Sequence, residues 1–104
     1  MEDYVTLERS DDVMIVRFDR QGALNAFDQK MITELTDTAK LLAEDLTVRS
    51  VVLTGASAAF SSGIDLKDTQ NWDLEAMNDL EIRRRFYRGV RLCQAWEDLP
   101  QITI

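Results

Sequence analysis

The order of three segments constrains this chain more than any other feature. Val13-Met14-Ile15-Val16-Arg17-Phe18 is a run of strand formers. Met31, Ile32, Leu35, Ala39, Leu42 and Ala43 then recur with a period near 3.6, the mark of an amphipathic helix. Ser50-Val51-Val52-Leu53-Thr54 reads as a buried strand closed by Gly55. Strand, helix, strand is a βαβ unit, which predicts parallel pairing through a right-handed crossover. The fold class expected is therefore α/β, with parallel sheet elements joined by crossover helices.

The flanking segments extend that frame. Tyr4-Val5-Thr6-Leu7 alternates toward β, and Ser10-Asp11-Asp12 supplies turn chemistry before Val13, so a hairpin is expected. Asn25 and Asp28 are both good caps for the helix that follows. After Gly55 comes a small-residue loop, then Phe60-Ser61-Ser62-Gly63-Ile64-Asp65-Leu66. Lys67 to Asn71 is polar. Asp73 is the expected cap of a long helix reaching about Asp98, with Met77, Leu80, Tyr87, Val90, Cys93 and Trp96 as its core stripe. Pro100 ends it, and Gln101-Ile102-Thr103-Ile104 opens another strand. A chain stopping inside a β-rich run reads as the N-terminal part, residues 1–104, of one larger domain.

Composition removes several classes of function. Histidine is absent, which excludes Ser-His-Asp and Cys-His nucleophiles and histidine zinc motifs. One cysteine, Cys93, allows neither an internal disulfide nor a cysteine metal cluster, so no metal is expected. A net charge of −7 repels phosphate backbones and anionic membranes at long range, though it leaves room for one phosphorylated small molecule at a local site. The apolar runs are far too short to span a bilayer. The acidic start Met1-Glu2-Asp3 has no apolar segment behind it, hence no secretory signal, and cytoplasmic placement is expected.

Chemistry concentrates between Val51 and Leu66. Gly63 can adopt positive φ, and a bend there can aim the N–H groups of Gly63 and Ile64 into one concavity. Such a nest binds an anion or a developing oxyanion, helped by the dipole of a helical turn beginning after it. The plain alternative is a glycine turn followed by Asp65 as a cap.

Three blocks carry a family resemblance: Arg20-Gln21-Gly22-Ala23-Leu24-Asn25-Ala26, Val51-Val52-Leu53-Thr54-Gly55, and Ala59-Phe60-Ser61-Ser62-Gly63-Ile64-Asp65-Leu66-Lys67. In order and separation they resemble the R-P-x-A-L-N-A, V-V-L-T-G and A-F-S-A-G-x-D-L pattern of the enoyl-CoA hydratase/isomerase superfamily. The resemblance covers nearly the whole chain and implies the N-terminal part of a crotonase-like ββα spiral. It implies an enzyme that binds an acyl-CoA thioester and stabilises its enolate with two backbone N–H groups. One of these, by position after the glycine, is that of Ile64. The second, and the acid/base carboxylates, belong to sequence beyond Ile104, so the 104-residue piece alone is expected to be inactive. Gly22, Ala23, Leu24, Ser62, Gly63, Ile64, Asp65 and Leu66 would line the coenzyme A path. No cofactor is implied beyond coenzyme A as part of the substrate. A homotrimer or dimer of trimers is implied for the complete chain. Hydration of a 2-enoyl-CoA leads, with double-bond isomerisation next.

This sequence departs from the pattern at Gln21 for proline, Ser62 for alanine and Ile64 for alanine; the string Ser62-Gly63-Ile64-Asp65-Leu66 resembles the dienoyl-CoA isomerase branch. Arg83, Arg84, Arg85, Arg88 and Arg91 form a basic stretch. It reads as a solvated face paired with acids such as Glu81, or as a contact for a coenzyme A phosphate or a subunit. Trp72 and Trp96 read as packing residues, Cys93 as a buried thiol. Two other functions compete. One is a non-catalytic coenzyme A-binding or assembly module of the same fold. The other is a Rossmann-like nucleotide binder, which lacks its Gly-x-Gly-x-x-Gly fingerprint here.

Overall fold

A computed structural model describes residues 3–56, 58–68 and 73–104. Strands β1 (Val5–Ser10) and β2 (Val13–Phe18) form the expected antiparallel hairpin. Its tight turn places Asp11 at φ 53°, a left-handed conformation that aspartate tolerates. Helix α1 (Gln29–Glu44) follows, and β3 (Ser50–Gly55) then pairs parallel with β2. Helix α2 (Asp79–Glu97) leads to β4 (Ile102–Thr103), which pairs parallel with β3. The sheet order is β1-β2-β3-β4, the α/β arrangement expected from the segment order.

Asp28, not Asn25, caps α1, accepting the Met31 N–H at 2.8 Å. One face of α1, formed by Met31, Ile32, Leu35, Ala39 and Leu42, buries against Val16, Phe18 and Val51 on one side of the sheet. Only Val51 of β3 is fully buried; its other residues are half-exposed, so the strand is less enclosed than its apolar run predicts.

Helix α2 departs further from expectation. Asp73 precedes only a short 3-10 turn, Leu74–Ala76, and makes no side-chain cap. Asn78 caps α2 instead, accepting the Glu81 N–H at 3.0 Å. Most of the expected core stripe is overturned: Leu80, Tyr87, Val90 and Cys93 are exposed and Met77 lies ahead of the helix, while Trp96 does turn inward. The inward line is Ile82, Arg85, Gly89, Leu92 and Trp96, continued by Leu99 beyond the helix. Trp96 fixes that rotation by donating its Nε1–H to the Leu35 carbonyl at 3.1 Å. Apolar residues stand on several faces of α2, so periodicity alone could not choose the buried one. Trp72 lies outside the described residues. No helix among the described residues is long and apolar enough to cross a membrane.

Candidate active site

Because β2 and β3 run parallel with Phe18 opposite Gly55, their carboxyl ends share one edge of the sheet. Two loops leave that edge, residues 19–28 and residues 56–68. Ligand crevices in parallel sheets form at this edge. Phe18 stands beneath both loops, edge-on to Phe27 at 5.3 Å and tilted against Phe60 at 4.9 Å. Gly55 is required where the second loop starts, since a Cβ there would overlap the Ala59 carbonyl oxygen.

Asn25 ties the loops together. It is fully buried at φ 55°, and Leu24 beside it has φ 51°. The Asn25 Oδ1 accepts the Arg20 N–H at 2.8 Å, and its Nδ2 donates to the Ala59 carbonyl at 3.0 Å. Its own carbonyl accepts the Ser61 hydroxyl at 2.8 Å. The sequence offers Asn25 only as a helix cap; its left-handed backbone and its role as the buried link are findings of the structure.

A parallel bridge joins Phe27 to Ile64. The Phe27 N–H donates to the Gly63 carbonyl at 2.8 Å, and the Asp65 N–H donates to the Phe27 carbonyl at 2.9 Å. A parallel bridge uses the groups on either side of its central residue, so the N–H of Ile64 points away from Phe27. The neighbouring donors are committed: Ser62 N–H to the Leu24 carbonyl at 3.0 Å, and Gly63 N–H to Ser61 Oγ at 3.0 Å. The N–H of Ile64 makes no hydrogen bond among the described residues.

Two expectations change here. Gly63 has the positive φ required of it, 96°, but its N–H is held by Ser61, so it does not share a concavity with that of Ile64. Leu66 and Lys67 form a turn, and no helix begins within residues 64–68 that follow Gly63, so no helix dipole contributes there.

Asp65 caps that turn, accepting the Lys67 N–H at 2.9 Å, and does more. Its carboxylate lies 2.8 Å from the Arg20 guanidinium, which also donates to the Ala26 carbonyl at 2.9 Å and lies 3.5 Å from Asp28. The hydrogen bond from Arg20, then that from Lys67, holds the Asp65 carboxyl below the ordinary carboxylate range. Arg20 and Asp28 are absent from the expected site residues. Their partners lie on separate segments, which sequence spacing does not reveal.

The loops enclose an open cleft of about 1220 Å³. Gly22, Ala23, Leu24, Ser62, Ile64, Asp65 and Leu66 line it, together with the cations Arg20, Lys30, Lys67 and Arg88. Of the expected residues, Gly63 alone is not on its wall. A smaller groove of about 190 Å³ lies between α1 and α2, and Ile64 borders both spaces. The arginine stretch is not paired with Glu81, whose carboxylate accepts from Asn78. Arg85 donates to Gln29 Oε1 at 3.3 Å, and Arg88 donates to Thr33 Oγ1.

The sequence signature described as Enoyl-CoA hydratase/isomerase matches residues 8–98. The chain belongs to the enoyl-CoA hydratase/isomerase family. A Dictyostelium discoideum protein named probable enoyl-CoA hydratase, mitochondrial, is 32% identical over 93% of this chain and 31% of its own length. An Arthrobacter protein named 4-chlorobenzoyl coenzyme A dehalogenase-2 is 33% identical over 84% of this chain and 32% of its own length. The solved structure of a Mycobacterium smegmatis enoyl-CoA hydratase superposes with a TM-score of 0.83 at 29% identity, covering 98% of this chain and 38% of that one. The fold is thus crotonase-like, and this enoyl-CoA hydratase/isomerase family member spans about a third of the length of the curated relatives it matches.

Proposed function

We propose that this chain supplies one thioester-oxygen donor and the coenzyme A-binding wall of an acyl-CoA hydratase/isomerase, with 2-enoyl-CoA hydration as its reaction. The observation that carries this reading is the uncommitted N–H of Ile64 at the border of the cleft. A thioester oxygen gains negative charge as an enolate forms at its α-carbon. A fixed donor aimed at that oxygen stabilises the transition state more than the ground state. In hydration, water adds its oxygen to the β-carbon and a proton to the α-carbon through that enolate. Double-bond isomerisation moves a proton through the same species.

The cleft carries Lys30, Lys67 and Arg88 beside the Arg20–Asp65 pair, among the acids Asp3, Asp28, Glu34 and Asp68, so cations are at hand for a phosphate-bearing carrier such as coenzyme A although the wall as a whole is not cationic. The second donor and the acid/base carboxylates are proposed to come from outside residues 1–104, and the complete protein to assemble as a homotrimer or a dimer of trimers. Hydration of 2-enoyl-CoA by the full-length protein, followed by loss of the enoyl absorbance, tests the reading. Saturable thioester binding with no turnover of any enoyl-CoA would favour a coenzyme A-binding module instead.

A further inference from the structure

The 190 Å³ groove beside Ile64 has an apolar wall of Ile32, Ile64, Leu74 and Phe86, yet Gln29 and Arg85 also face it. Arg85 is half-buried, and among the described residues it donates one hydrogen bond, the 3.3 Å contact to the neutral Gln29 amide. Arg84 and Arg88 stand near it on the same helix. Burial, then the charges of Arg85 and Arg84, push Arg88 below an ordinary arginine. None of the three has a carboxylate partner among the described residues. Like charges gathered at a half-buried surface oppose one another, and an anion relieves that opposition.

The two spaces divide the roles. Arg88 lines the large cleft, where the phosphates of the carrier belong, whereas Arg85 lines the small groove that continues past Ile64. We propose that this groove receives the acyl group, and that Arg85 selects a short acyl chain ending in a carboxylate. The proposal rests on the acyl-CoA reading above. A neutral acyl chain in this groove would strip water from a guanidinium and offer nothing in return, which is unfavourable. A terminal carboxylate pairs with it, in the planar fork geometry at which arginine excels. The groove, at about 190 Å³, is far smaller than the 1220 Å³ cleft, so the chain is short.

The test uses the full-length protein and two five-carbon 2-enoyl thioesters, glutaconyl-CoA with its terminal carboxylate and 2-pentenoyl-CoA without it. The parent protein should favour glutaconyl-CoA in kcat/KM by about tenfold or more, the scale of one charge-assisted hydrogen bond. Arg85→Met should collapse that ratio, and Arg85→Lys should restore part of it. A ratio unchanged in Arg85→Met overturns the proposal, as does equal weakening of both thioesters, which would assign Arg85 to the carrier's phosphates. A parent preference for 2-pentenoyl-CoA overturns it too. If neither thioester is bound or turned over, the acyl-CoA reading falls and takes the proposal with it. Thermal unfolding of each variant, and affinity for free coenzyme A, separate these outcomes from misfolding.

Discussion

Arg20 and Asp65 meet at 2.8 Å across two loops that leave neighbouring parallel strands, 45 residues apart in sequence. The same guanidinium holds the Ala26 carbonyl and lies near Asp28, the cap of α1. One side chain thus fixes the loop after β2, the start of α1, and the turn directly after Ile64. Both charged groups are largely withdrawn from water, so removing one partner leaves the other poorly solvated.

Arg20→Met should therefore destabilise the fold by about 1.5–3 kcal/mol, the range for a lost hydrogen bond to a charged group. Arg20→Lys should recover less than half of the loss, because an ammonium cannot reproduce the forked contacts of a guanidinium. Urea unfolding of the three proteins measures both. A lysine variant as stable as the parent would show that charge alone, without the fork, holds the loops.

The same pair sets a pH dependence. The hydrogen bond from Arg20 is the main cause of the low Asp65 pKa, followed by that from Lys67, with burial working the other way. A native pKa below the unfolded value means that the unfolded state binds more protons in the interval between them, so stability rises with pH there. The contribution is fully present above the unfolded carboxylate value of about 3.9 and disappears as pH falls through the native one. Asp45, held low by Thr47, adds slope in the same window. Stability should fall on acidification below about pH 4, and Asp65→Asn should flatten that fall while leaving the Asp45 part. Identical acid slopes for parent and variant would rule Asp65 out as a source.

Asn25 carries a third expectation. Asn25→Ala deletes the links to Arg20 and Ala59 and places alanine at φ 55°. The loss should be about 2–4 kcal/mol, combining unsatisfied polar groups with left-handed strain. Asn25→Gly removes the same hydrogen bonds without the strain, so it should be the milder variant. Thermal unfolding distinguishes them, and a glycine variant worse than alanine would contradict the assignment of strain.

Sequence legibility tracked the range of each interaction. The β1–β2 hairpin, the Asp28 cap and the βαβ order rest on local chemistry and period, and they were readable. The face of α2 was not, because Leu80, Phe86, Tyr87 and Val90 are apolar yet exposed. Its rotation is set by Leu92 and by the bond of Trp96 to a carbonyl on α1. Cys93 followed the wrong stripe and is exposed. Seven of the eight expected site residues line the cleft because motif order is local, while the Asn25 and Arg20 links join segments 34 and 45 residues apart. The commitment of the Gly63 N–H to Ser61 also depends on a side-chain rotamer that no motif encodes.

The last expectation separates the backbone of Ile64 from its side chain. Ile64→Ala keeps the N–H and changes only the wall shared by cleft and groove, so it should alter acyl preference and affinity more than turnover. Ile64→Pro removes the N–H. Because that N–H has no partner among the described residues, the fold loses no hydrogen bond with it. The bridge to Phe27 uses Gly63 and Asp65 and remains available. Proline restricts the residue before it, and Gly63 is the residue best able to comply. In the full-length protein, turnover should drop about 10²–10³-fold, the usual cost of one oxyanion donor, while coenzyme A affinity and thermal stability stay near parent values. Steady-state kinetics on both variants decide the matter. A folded, coenzyme A-binding proline variant that turns over within a few-fold of the alanine variant would place the donor elsewhere than Ile64.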